Sequence, residues 1–213
     1  MSTSIAGVRI PDSAMAQEAT HLMRGAQSDL LLHHALRAFL FAALLGEAVR
    51  LKCDLELLLI AALFHNAGLK TKYQRSSLRF EVDGANEARA FLQSHAIDAR
   101  DIELVWTAIA LHTTPGIPEH MPPLVALIHA GVQMDLRGAR FHAFTKTQRD
   151  EVVAAYPREK GFKKKIIEAY ARGMLERPDT TFGTVNADVL DRADPNYKRL
   201  NFCGLVLGSE WAN

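Results

Sequence analysis

The stretch Ala61-Ala62-Leu63-Phe64-His65-Asn66-Ala67-Gly68-Leu69 sets an imidazole and an amide side by side at the end of an apolar helix. Leaving either group unpaired in a core costs about 1–3 kcal/mol. The rest of the chain must therefore bring partners to them. Gly68 is expected to close this helix in the left-handed conformation.

Helix signals fill most of the chain. Pro11-Asp12-Ser13 caps a first amphipathic helix to about Gly25, and Ser28-Asp29 opens a long one to about Leu51. Leu30, Leu31, Ala38, Phe41 and Leu45 recur on it at three- and four-residue spacing, with His34 on the same face. Asp54 caps the helix that runs to Gly68, and residues 69–82 read as a basic loop. Asp83 is expected to cap a helix to about His95, and Asp98 one whose buried face carries Leu104, Val105, Ala108, Ile109 and His112. Pro122-Pro123 begins another, striped with Leu124, Ile128, Val132 and Asp135 and ended by Gly138. Helices over about 147–156 and 157–176 follow, then a tail with one or two short helices. No run of alternating β-branched residues suggests a strand. The expected fold is all-α, a single-domain helical bundle over 1–213 with an irregular C-terminal tail and a site core over about 28–138.

Composition narrows the function classes. With 25 Lys and Arg against 24 Asp and Glu, the net charge of +1 gives no footprint for nucleic acid or an anionic membrane. Lys163-Lys164-Lys165 reads as a solvated helix face. His33, His34 and Arg37 interrupt the apolar run from Leu30 to Leu45, which argues against a membrane span. Two cysteines make no disulfide framework, and the N-terminus has no signal-peptide pattern, so a cytoplasmic location is expected. The expected partner is a small molecule, with homo-oligomers open.

Four helices thus carry polar groups on apolar faces: His34, His65 with Asn66, His112, and Asp135. Singly, each histidine reads as a core residue bonded to a carbonyl, and Asp135 as a partner for Arg137. Together they are the imidazole and carboxylate ligands a divalent metal takes in a helical core, at roughly 2.0–2.2 Å. A cation would also offset the desolvation of a buried Asp135.

A first His, a His-Asp-like pair and a late Asp on successive helices resemble the ligand order of the HD-domain metalloenzymes, and within them the cyanamide hydratase-like branch. The matching pieces are His34-Ala-Leu-Arg37, Ala61 to Leu69, Arg79-Phe-Glu-Val-Asp-Gly-Ala85, Trp106-Thr-Ala-Ile-Ala-Leu-His112-Thr113 and Gly131-Val-Gln-Met-Asp135. The resemblance implies a metal held by His34, His65, Asn66 and Asp135, most readily zinc, with iron or manganese as alternatives. It implies addition of water to a small nitrile-like group such as cyanamide. His112 is then the candidate proton donor or substrate hydrogen-bonding group, Glu81 a residue that orients water, and Thr113, Phe80 and Lys70 substrate contacts.

One position departs from the family. Asn66 stands where the family has Asp, so the expected ligand set carries one negative charge in place of two. Two alternatives stay open. The first is a metal-dependent phosphohydrolase using the cations Lys70, Lys72, Arg75 and Arg79. The second is a disabled HD protein with a binding or regulatory role.

Overall fold

The computed structural model describes residues 3–211. Among these, ten α-helices carry the fold: α1 (Ala14–Ala26), α2 (Asp29–Ala48), α3 (Leu55–Phe64), α4 (Phe80–Ser94), α5 (Ala99–Leu111), α6 (Pro123–Arg137), α7 (Lys146–Ala155), α8 (Phe162–Met174), α9 (Asn186–Ala193) and α10 (Phe202–Leu207). The expected all-α class is what the chain adopts. An antiparallel hairpin of two-residue strands, β1 (Ser4–Ile5) and β2 (Val8–Arg9), was not expected, because two residues are too few to show alternation.

Local signals explain most helix starts. Ser13 accepts from the Ala16 amide at 3.1 Å, Asp54 from Glu56 and Leu57 at 2.7 and 3.1 Å, and Asp98 from Arg100 at 2.8 Å. Gly138 ends α6 with φ +70°, the left-handed cap its sequence position implied.

Two local expectations need correction. Asp83 does not cap α4, which begins three residues earlier at Phe80 with Arg79 as its N-cap. Asp83 lies in the first turn and pairs with Arg177. Gly68 is not a left-handed cap either: α3 ends at Phe64, and Gly68 sits in a 3-10 turn, Ala67–Leu69. The glycine is needed there for space, since a Cβ would lie 1.9 Å from the Phe80 carbonyl oxygen.

α2 is the organising rod. Nearly every residue from Leu32 to Gly46 is buried, including Arg37, and its most extensive partner is α6. Its apolar length matches a membrane span, yet 83% of that window is buried against other helices of this chain. α2 and α6 come close because Gly131 has no side chain: a Cβ there would lie 2.2 Å from the Ala38 carbonyl oxygen. That approach sets the spacing between His34 on α2 and Asp135 on α6.

A second cluster joins the C-terminal half to this frame. Leu69, Phe80, Phe162, Ile166, Tyr170, Met174 and Leu190 pack together, laying α8 and α9 over the start of α4. Arg177 fastens the join. Its Nε donates to the Gly173 carbonyl at 3.0 Å and its Nη1 to that of Leu78 at 3.1 Å, while Asp83 and the Gly68 carbonyl accept from the rest of the fork. A buried guanidinium with all these acceptors is satisfied in charge and in hydrogen bonds.

Gly131→Ala is expected to destabilise the protein by about 1–3 kcal/mol through overpacking. Gly25→Ala, whose Cβ would meet nothing within 4 Å, is expected to be neutral or stabilising. Urea denaturation of both variants checks this, and equal effects would contradict the close approach of α2 and α6.

Candidate active site

His34 and Asp135 meet at the centre of the bundle, wholly shielded from solvent. The Asp135 carboxylate accepts from His34 Nδ1 at 2.7 Å, from Arg37 Nε and Nη2 at 2.7 and 2.9 Å, and from Arg158 Nη1 at 2.7 Å. The ring of Phe162 lies 4.9 Å from the Arg37 guanidinium carbon and 3.9 Å from that of Arg158. Arg37 also donates to the Tyr156 and Pro157 carbonyls at 3.0 Å each. Burial acts to raise the Asp135 pKa, but His34 and Arg37 outweigh it and hold the carboxyl well below the usual range. Asp135 is therefore a stable anion, and its partners are Arg37 and Arg158 in place of the expected Arg137.

Three imidazoles form a chain across the site. The His34 and His65 rings lie 5.1 Å apart, and those of His65 and His112 4.9 Å apart, each pair edge to face. His65 Nδ1 donates to the Ala62 carbonyl and His112 Nδ1 to that of Ile109, both at 2.6 Å. Those carbonyls accept only, so each histidine bears its proton on Nδ1 and turns a lone pair out at Nε2. His65 Nε2 faces His34 Nε2 at 3.2 Å, while His112 Nε2 has no partner. Burial pushes His112 down to about 4 and His65 well below the ordinary value, with the neighbouring histidines adding to the effect. Both are neutral at pH 7. At rest His112 Nε2 is thus a hydrogen-bond acceptor or base, in keeping with the expected hydrogen bond to substrate, and it can donate from Nε2 only a proton it has first accepted.

Glu81 anchors the opposite wall. It is fully buried and accepts from Arg79 Nη2 at 3.0 Å, from Asn186 Nδ2 at 2.9 Å and from the Thr113 hydroxyl. Burial raises its pKa, but Arg79, His112 and Thr113 together bring it below the ordinary carboxylate value. His129, further along α6, donates from Nδ1 to the His112 carbonyl at 2.8 Å and so fixes the end of α5.

A cavity of about 290 Å³ opens on this side, lined by Thr113, Val132, Ile166, Tyr170, Asn186 and Val189 among others. Phe80 forms its inner packing, with its ring 5.7 Å from His112 and 5.6 Å from Tyr170. The Tyr170 hydroxyl and both polar atoms of Asn66 are buried without hydrogen-bond partners. Burial pushes the Tyr170 pKa up against the Asn66 amide, the first of the polar groups acting on it. Together with His112 Nε2, these atoms form an unsatisfied set of donors and acceptors, of which Tyr170 lines the cavity and His112 adjoins its Thr113. Buried polar groups are seldom left so without a ligand to meet them.

The expected site residues therefore divide. His34, His65, Asn66, His112, Glu81, Thr113 and Phe80 come together, whereas Lys70 turns away to Glu87. Asp135 stands on the Nδ1 side of His34, away from the nitrogen that faces His65. Arg37, Arg158, Tyr170 and Asn186 complete the site and were not assigned roles from sequence. Arg37 had a signal, a charge one helical turn from His34 on a buried stripe; the other three come from the amphipathic C-terminal half, where nothing local marks them.

The donor set does not make the expected four-ligand metal centre. Asn66 is neutral, and the Asp135 oxygens are engaged by two guanidinium groups. Among the described residues, no group of three His, Cys, Asp or Glu side chains is arranged to hold a metal ion. What remains is two imidazole nitrogens at 3.2 Å, a separation that calls for a proton or a cation between their lone pairs.

The HD domain family profile matches residues 31–193, which include every residue of this site. No curated protein matches the chain.

Stability is expected to decline as pH falls from 6.5 to about 4. His65 and His112 have depressed pKa values when folded, so the unfolded chain binds the extra protons in that window. Below that, Asp135 and Glu81, also depressed, add a second loss as they protonate. Urea midpoints from pH 8 to pH 4 test this. His112→Gln should flatten the first decline by about 3 kcal/mol, and an unchanged slope would contradict a neutral buried His112.

Proposed function

The chain belongs to the HD-domain family, and we propose that its site takes a small neutral molecule of the nitrile or amide class. HD domains generally bind divalent metals and are typically metal-dependent phosphohydrolases. The observation that carries the proposal is the unsatisfied set at Asn66, Tyr170 and His112. It offers the neutral donors N–H and O–H and the neutral acceptors C=O and imidazole nitrogen, and no net charge.

The cations that a phosphohydrolase reading requires are engaged elsewhere. Lys70 and Lys72 pair with Glu87, Arg75 with Glu176, and Arg79 with Glu81. Of the residues lining the cavity, Lys163 alone is cationic. The remaining wall is largely aliphatic, which suits a substrate with little charge.

In its finer form the proposal is a hydratase that adds water to a nitrile-like carbon such as that of cyanamide. The water oxygen bonds to the carbon, both water protons end on nitrogen, and nothing leaves. His112 Nε2, neutral and unprotonated, accepts a proton from the attacking water and then returns it to the substrate nitrogen, so the imidazole ends neutral. The Tyr170 hydroxyl and the Asn66 amide donate to the substrate nitrogen as charge develops there. Glu81 is a positioning residue: with Arg79, Thr113 and Asn186 on its oxygens, it fixes the Thr113 hydroxyl at the cavity wall.

One observation favours a second reading, an HD metalloenzyme of weakened metal affinity. It is the 3.2 Å approach of His34 Nε2 to His65 Nε2. Zinc, iron or manganese at that place would have His34, His65 and Asn66 as donors, all neutral, and no step above runs through it.

Incubation with cyanamide and small nitriles, followed by carbon NMR, is expected to yield urea or the amide, with no phosphate released from a nucleotide panel. Tyr170→Phe should lower that turnover by roughly 10²-fold, the usual effect of removing one donor to developing charge. Phosphate release without hydration would overturn the proposal.

A further inference from the structure

A second, larger cavity has Asp135 in its wall and shares Leu136 and Lys163 with the first. It measures about 540 Å³ and is lined by Arg137, Arg149, Arg158 and Lys163, with Phe41 and Phe141 among its apolar residues. Asp135 is the sole acidic residue in its wall, and that carboxylate is already engaged by Arg37 and Arg158. Four cations thus face one compensated anion. Such an excess of like charge around a concave surface attracts an anion and costs repulsion without one.

Two of the guanidinium groups are fixed before any ligand arrives. Arg149 donates through Nη1 to the Phe141 and Phe144 carbonyls, and its carbon sits 4.0 Å from the centre of the Phe141 ring. Arg158 uses Nη1 toward Asp135 and rests on Phe162. Among the described residues, neither gives its Nε or Nη2 to a protein acceptor, so each keeps a free donor edge. Arg137 and Lys163 have no acidic partner among the described residues. Planar forks held in place with a free edge match phosphate oxygens better than flexible ammonium groups do.

We propose that this cavity is a binding site for a small organic phosphate, its phosphate group received by Arg137, Arg149 and Arg158 and its carbon skeleton by the Phe41 and Phe141 wall. The volume exceeds what inorganic phosphate alone would fill. The site is also coupled to the first one. Arg158 and Asp135 belong to both, and Asp135 holds His34 Nδ1. A phosphate that draws on Arg158 loosens its hold on Asp135 and is felt at the His34 ring. This inference does not depend on the proposed hydration: it needs only the cavity and the Asp135 contacts.

Calorimetric titration with adenosine 5′-diphosphate, with inorganic phosphate as a parallel arm, tests the site. Binding of the diphosphate is expected, stronger than that of inorganic phosphate. It should be weakened at least 10-fold in Arg137→Ser with Arg149→Gln. Arg137→Ser alone, at an exposed position, serves as a variant that keeps the fold and should weaken binding several-fold. Absence of binding, equal binding of both anions, or binding indifferent to these substitutions would overturn the site. The imidazole NMR resonances of His34 should shift on addition of the diphosphate and not in the double variant. Binding with no response at His34 would overturn the coupling.

Discussion

The structure depends on one buried anion. Asp135 sits in the middle of the helical bundle, and the chain places two guanidinium groups and an imidazole around it. An isolated carboxylate there would cost several kcal/mol, so its partners are obligatory. They come from α2, from the residues between α7 and α8, and from the packing of Phe162 against both arginines. Satisfying one charge therefore fixes the relative placement of α2, α6 and α8. The close approach at Gly131 makes the arrangement possible, because α6 must reach α2 for Asp135 to meet His34.

The same interaction determines what the site can do. Arg37 and Arg158 neutralise Asp135 on one side of His34, and on the other lie the uncharged His65, Asn66, His112 and Tyr170, with Lys163 the one cation in the wall of the adjoining cavity. An HD domain with two free carboxylates presents negative charge to a cation, whereas this one presents lone pairs and amide and hydroxyl protons. Glu81, also buried, is likewise balanced by Arg79, and Asp83 by Arg177. The buried charges of the site are thus paired with one another, which is the arrangement the proposed small neutral substrate calls for.

The helices were legible wherever a side chain caps them, as at Ser13, Asp54 and Asp98, and where Gly138 ends α6. The start of α4 was not, because Asp83 has the chemistry of a cap while tertiary contact with Arg177 places it inside the helix. The histidines of the site were legible as polar residues on apolar stripes. Their protonation was not, since it follows from which carbonyl each Nδ1 reaches. Asn186, Tyr170 and Arg158 were invisible for a similar reason. Asn186 lies 105 residues from Glu81 in sequence and is brought in, like Tyr170, by the packing of α8 and α9 over α4, whereas Arg158, 23 residues from Asp135, is brought in by the chain between α7 and α8.

Metal content measured by mass spectrometry on protein purified without added metal tests the account at its centre, for the chain as given and for Asn66→Asp. With Asp135 engaged by arginines and Asn66 neutral, well under one equivalent of zinc, iron or manganese is expected in the given chain. Asn66→Asp, which restores an unengaged carboxylate beside His65, is expected to take up more. A full equivalent of tightly held metal in the chain as given would contradict the account, since it would mean that neutral donors suffice or that Asp135 leaves its arginines to bind the ion.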